Sequence, residues 1–196
     1  MNRNKLAWVL VGILVVACLY LVTQVNTLNL KLQMMEEQMA KAVTITPANI
    51  KVDQVGGTEF NFSTVVASDG SVANTTTKEL ALNIINEDKN PAKIVVTLVN
   101  PKTGEIGLPK ELRNSYVDVY FKVGSDTKYL YLDGKLTDGK VLTLDPASAV
   151  SASLGITLKQ APSGTFTDNQ TYTITLYIVQ PDAGNYVQSV TYTLKT

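Results

Sequence analysis

The sequence predicts a mainly β protein: an antiparallel β-sandwich, immunoglobulin-like or jelly-roll, preceded by one long N-terminal transmembrane and coiled-coil helix. Three observations lead there. An uncharged apolar run occupies the N-terminus, a three-four apolar periodicity follows it, and from about Val43 short alternating runs are separated by turn residues. The 196 residues therefore divide into a basic head and membrane-spanning helix (1–22), an amphipathic heptad stalk (23–43) and an extracytoplasmic β-sandwich (44–196).

The first element is the stretch from Leu6 to Val22, about 17 residues without a charge, near the lower limit for crossing a bilayer as a helix. Arg3 and Lys5 precede it and Lys31 is the first charge after it, so the positive-inside rule places the N-terminus in the cytoplasm and the remainder outside. No small-x-small cleavage site precedes Thr23, which argues against a cleaved signal. Val15-Val16-Ala17-Cys18 has the outline of a lipobox, but Leu19 to Val22 continues the apolar run where lipidated proteins turn polar. Cys18 then reads as a small apolar residue of a membrane helix.

The second element is marked by Leu21, Val25, Leu28, Leu32, Met35, Met39 and Ala42, which recur at alternating spacings of four and three. That is a heptad seam for self-association. With Val25, Leu32 and Met39 at a, Lys31 at g faces Glu36 at the following e position, an interchain ion-pair geometry. The alternative for this face is packing against the chain's own β domain or lying at the lipid interface.

Within the third element, Val117, Val119, Phe121 and Val123 share one strand face, as do Val150, Ala152, Leu154, Ile156 and Leu158, and Tyr172, Ile174, Leu176 and Ile178. Asp69-Gly70, Asn100 to Gly104, Asp133-Gly134, Asp138-Gly139 and Pro181 to Gly184 supply the turns between strands. Leu108 to Arg113 has room for one helical turn.

Composition narrows function by exclusion. Seventeen basic and seventeen acidic residues cancel, and no basic cluster breaks the balance, so nucleic acid is not an expected partner. The chain has no histidine, which removes any His-dependent triad or zinc site, and a single cysteine allows neither an intrachain disulfide nor a cysteine cluster. Phosphate-binding glycine loops, nucleophile elbows and calcium-loop spacings are missing, so no catalytic residue, cofactor or metal is expected. Glu87-Asp88, beside Asn86 and Asn90, reads as a solvated connection. Asn61, Asn74 and Asn169 stand in Asn-x-Ser/Thr sequons, with Asn74 in the most polar surroundings. Tyr129, Tyr131, Tyr177, Tyr186 and Tyr192 are candidates for a binding face, with cross-strand packing as the alternative.

The order of parts, a basic head at Arg3 and Lys5, an apolar helix continuing into an amphipathic one, then a Thr-rich β region, resembles that of archaeal type IV pilins and related surface-filament subunits. The resemblance implies helices bundled as a filament core with β domains outside. Asn4-Lys5-Leu6-Ala7 departs from the usual processing site by Leu6, and Gly12 stands where many bacterial pilins carry glutamate. A coat or spike component of a virus with an internal lipid layer has the same order of parts. The expectation is a non-enzymatic structural or adhesive surface protein, membrane-anchored and self-assembling. Its expected partners are a lipid bilayer, further copies of itself and other envelope or coat proteins. The alternative is a monomeric membrane-tethered binding or sensor module of a cell-envelope complex.

Overall fold

The computed structural model of the chain describes residue 18, residues 20–32 and residues 46–196. Two compact units divide it, Met1–Thr44 and Ile45–Thr196. In the second, the alternating runs fold into eleven strands: β1 (Ile50–Asp53), β2 (Glu59–Asn61), β3 (Thr76–Asn86), β4 (Ala92–Thr97), β5 (Val117–Val123), β6 (Asp126–Leu132), β7 (Lys135–Leu136), β8 (Lys140–Leu144), β9 (Ser148–Leu158), β10 (Thr171–Gln180) and β11 (Tyr186–Lys195). They form two curled sheets, a six-stranded one in the order β1-β3-β9-β5-β6-β7 and a five-stranded one in the order β2-β11-β10-β4-β8.

One hydrophobic core joins the sheets, because alternation sends one row of each strand inward. Ile84 of β3, Phe121 of β5 and Leu154 of β9 meet Ile94 of β4, Ile174 of β10 and Leu194 of β11, all fully buried. Alternation fails where a bulge intervenes. Val119 pairs with Tyr131 and Tyr120 with Tyr129, so Leu130 is the extra residue, and Leu130 and Tyr131 are both buried although consecutive.

The edges are set by local chemistry. Between β1 and β2 the chain leaves one sheet for the other through Gly56-Gly57, where the Gly56 amide donates to the Ala81 carbonyl at 2.8 Å. Strand β2 stops at Asn61. There the Asn61 carboxamide oxygen accepts the Ser63 amide at 3.0 Å, and the Val65 amide turns back to the Phe62 carbonyl at 2.8 Å. The expected turn after Leu108 is a 3₁₀ turn, Lys110–Leu112, burying Leu112. Asn86, wholly buried at the end of β3, ties two connections together. Its Nδ2 donates to the carbonyls of Asn90 at 2.8 Å and Asp145 at 3.1 Å, and its Oδ1 accepts the Asp88 amide at 3.1 Å.

The N-terminal expectations are corrected. Residue 18 and residues 20–32 are helical, and among the described residues no helix is long and apolar enough to cross a membrane. The described helix is short, and Thr23, Gln24, Asn26, Thr27, Asn29 and Lys31 interrupt its apolar residues. A span needs about 20 predominantly apolar residues, and a stable coiled coil needs several heptads. Among the described residues the fold class is therefore mainly β in two curled sheets with one short helix, and the expected sandwich preceded by a long transmembrane or coiled-coil helix is not supported. The membrane-anchored N-terminus, its cytoplasmic placement, and the pilin, filament and virion descriptions lose their support with it. The charge-free run Leu6 to Val22 falls largely outside the described residues, as do Met35, Met39 and Ala42.

Candidate binding face

The outer face of the five-stranded sheet carries a groove walled by the connection that follows β4. After β4 the chain makes a short excursion. The Asn100 amide donates to the Glu105 carbonyl at 2.8 Å, Val99 bridges Ile106, and the Gly107 amide donates to the Leu98 carbonyl at 2.7 Å. The Gly107 carbonyl then accepts the Thr175 amide of β10 at 2.7 Å, so Gly107 is wedged between two backbones. A Cβ built there would lie 1.9 Å from the Thr175 carbonyl oxygen, so only glycine allows the approach.

This wedge holds the 100–105 tip over β10 and β11 and makes a groove of about 530 Å³. Asn100, Lys102, Thr103 and Glu105 form its wall, Thr175, Tyr177, Ser189 and Thr191 its floor, and Tyr186 and Val187 one end. The wall is internally braced: the Asn100 Oδ1 accepts the Lys102 amide at 3.0 Å, and the Thr103 hydroxyl oxygen accepts the Glu105 amide at 3.2 Å. Tyr177 is buried beneath the tip. Burial, and then the charge of Glu105, push its hydroxyl pKa above the ordinary value. A second, more apolar groove of about 340 Å³ lies on the same face, bounded by Val95, Val99, Pro101, Val179 and Pro181 with Gly139 close to β4.

The opposite sheet has its own polar arrangement. Tyr120 lies across Gly155, where a Cβ would come within 2.1 Å of its ring, and its hydroxyl donates to Glu79 at 2.5 Å. Burial and Glu79 together hold that phenol well above its usual range. Nearby, Asp118 is buried, accepts the Asp133 amide at 3.1 Å and meets the Lys159 ammonium at 2.8 Å. Burial pulls the Lys159 pKa down, but the hydrogen bonds and charges of Asp118 and Asp133 outweigh it, and the pKa is raised. These groups close on one another and form structural bridges.

No protein-family model and no curated protein sequence matches the chain. Among solved structures, it is similar to a FixG-related protein from Vibrio parahaemolyticus, at 10% identity over 78% of this chain and 98% of that one, with a TM-score of 0.38. It is also similar to a family 123 glycoside hydrolase from Clostridium perfringens, at 7% identity over 77% of this chain and 27% of that one, with a TM-score of 0.37. WR4, a C. elegans MSP family member, follows at 12% identity over 76% of this chain and 99% of that one, with a TM-score of 0.33. Likeness this distant transfers neither activity nor partners.

The expected site residues are placed unevenly. Leu21, Val25, Leu28 and Leu32 lie on the described helix, each more than half exposed at 54% to 61%. Cys18 is exposed on the same helix. Of the five tyrosines, only Tyr129 and Tyr186 are exposed; Tyr131, Tyr177 and Tyr192 are buried. Asn61, Asn74 and Asn169 are all exposed, Asn169 with φ of 57°. Glu87 and Asp88 do more than solvate a turn: their carboxylates accept the Asn49 side-chain and backbone N–H, each at 2.7 Å. Sequence reasoning missed the groove itself. Its one local signal was the turn run Asn100 to Gly104, which marks a loop tip but not what the tip covers.

Proposed function

We propose that the protein is a non-enzymatic structural or adhesive protein that self-associates through the apolar row Leu21, Val25, Leu28 and Leu32. The observation that carries this reading is that these four apolar side chains share one face of the described helix and are exposed, as every described residue of that helix is. A contiguous apolar row in water marks a contact surface. Few residues make each contact weak, so the assembly gains from several copies engaging together. Leu28→Asp with Leu32→Asp buries charge in that contact. Light scattering of the full chain is expected to change from oligomer to monomer, with the two-sheet unit still folded by circular dichroism. Oligomers that persist in the double variant would refute the helix as the contact.

A second reading is a monomeric binding module acting through the outer sheet face. The groove beneath the 100–105 tip favours it, being a formed concavity with polar groups converging on it. Crosslinking in the native source separates the two, since like-with-like products support self-association and unlike products the module.

A further inference from the structure

We propose that the groove between the 100–105 tip and strands β10 and β11 is a saccharide-binding site. This goes beyond self-association and stands on different residues. Sugar hydroxyls both donate and accept, so a site for them needs closely spaced side-chain donors, a carboxylate or amide able to engage neighbouring hydroxyls, and an aromatic face for the C–H side of the ring.

The groove supplies each of these. The Thr175 and Thr191 hydroxyls come from directly paired positions of β10 and β11, and Ser189 pairs with Tyr177 one step along. Strand spacing sets these hydroxyls about 5 Å apart across the sheet and about 7 Å apart along it, the scale of a pyranose ring. None of the three hydroxyls has a protein partner among the described residues, and neither has the Asn100 Nδ2, whose oxygen is occupied by the Lys102 amide. Glu105 enters no ion pair among the described residues; its carboxylate lies beside the Tyr177 hydroxyl, and its backbone amide is held by the Thr103 hydroxyl. Tyr186, at the end of the groove, is 44% exposed and so offers a free ring.

The charge pattern decides against other small ligands. Lys102 and Glu105 cancel, which leaves no net field for a phosphate or sulfate. The floor is made mostly of hydroxyl-bearing side chains, and the neighbouring groove around Val179 is the more apolar one, better suited to anchoring a peptide side chain.

The test uses the full chain labelled for amide NMR, titrated with soluble hexasaccharides of glucose, N-acetylglucosamine, mannose, xylose and galacturonate. One class is expected to bind in the millimolar range or better, shifting the Thr175, Ser189 and Thr191 amides. Glu105→Gln and Tyr186→Ala are each expected to weaken that binding at least about tenfold, with the remaining amides unmoved. Binding that survives both substitutions overturns the site, as does absence of any shift across the set at about 10 mM. Shifts in this groove caused by an unstructured peptide pool and by none of the sugars also overturn it.

Discussion

Replacing Gly107 with alanine sets a methyl group against a backbone that cannot yield cheaply. The new carbon would stand 1.9 Å from the Thr175 carbonyl oxygen and 2.8 Å from its carbonyl carbon. Ordinary contact needs well over 3 Å, so the 98–107 excursion and β10 must separate by more than 1 Å. That separation breaks the 2.7 Å bond from the Thr175 amide to the Gly107 carbonyl and strains the equal one from Gly107 to Leu98. Stranding groups of this kind costs about 1–3 kcal/mol each. Thr175 is half-buried and recovers some hydration, so a total of about 2–4 kcal/mol is expected. Urea unfolding reads the stability loss, and hydrogen exchange at Thr175 reports locally, because its amide should lose protection before the rest of β10 does. Gly104→Ala is the control: it has φ of 73° but nothing within 4 Å, so it should cost about 1 kcal/mol and leave Thr175 protected. Unchanged protection of Thr175 in the Gly107 variant, with a loss below about 0.5 kcal/mol, would refute the wedge as what holds the tip.

Other perturbations have equally definite outcomes. Asn86→Ala removes the buried carboxamide that serves Asn90, Asp145 and Asp88, and should lower stability by about 2–4 kcal/mol, read as a reduced urea midpoint at constant slope. Lys159→Met leaves buried Asp118 with only the Asp133 amide; the partial exposure of Lys159 reduces the penalty to about 1–3 kcal/mol, measurable by thermal unfolding. Asp69 accepts hydrogen bonds from the Ser163 hydroxyl at 2.6 Å and the Ser71 amide at 3.0 Å, and these hold its pKa down to about 2. Because that value lies below the ordinary carboxyl range, the stabilisation is fully present above about pH 4 and is lost as pH falls through about 2. A carbon-detected titration of Asp69 checks this, and Ser163→Ala should move the midpoint upward.

Local periodicity carried most of the β assignment. The row Tyr172, Ile174, Leu176 and Ile178 alternates in the sequence and points inward in the structure, since a strand's two faces are set by its own pleat. The same pattern had no means of showing which tyrosines are covered. Tyr177 and Tyr186 both sit on strands, yet one is buried under the 100–105 tip and the other is 44% exposed. Burial there depends on a loop some seventy residues away in the chain, and no window of neighbouring residues contains that information.

The N-terminus illustrates the opposite error. Hydropathy from Leu6 to Val22 predicts a span, and the four-three spacing predicts a long stalk, but among the described residues no helix is long and apolar enough to cross a membrane. The described helix is short and interrupted by polar residues, and two threonine hydroxyls bond back to its own carbonyls, Thr23 to Tyr20 at 2.7 Å and Thr27 to Thr23 at 2.8 Å.

By itself the sequence determined the strand-forming segments, the positions of most turns, the near-zero charge and the lack of histidine chemistry, because each follows from residue identity or local spacing. Tertiary structure alone decided that β1 and β2 belong to different sheets, that β2 lies parallel to β11, that Asn86 joins two connections, and that Gly107 wedges the excursion against β10. Those are pairings between backbones far apart in the chain. Their free energy depends on what the rest of the fold brings opposite them, and a single strand carries no record of its partner.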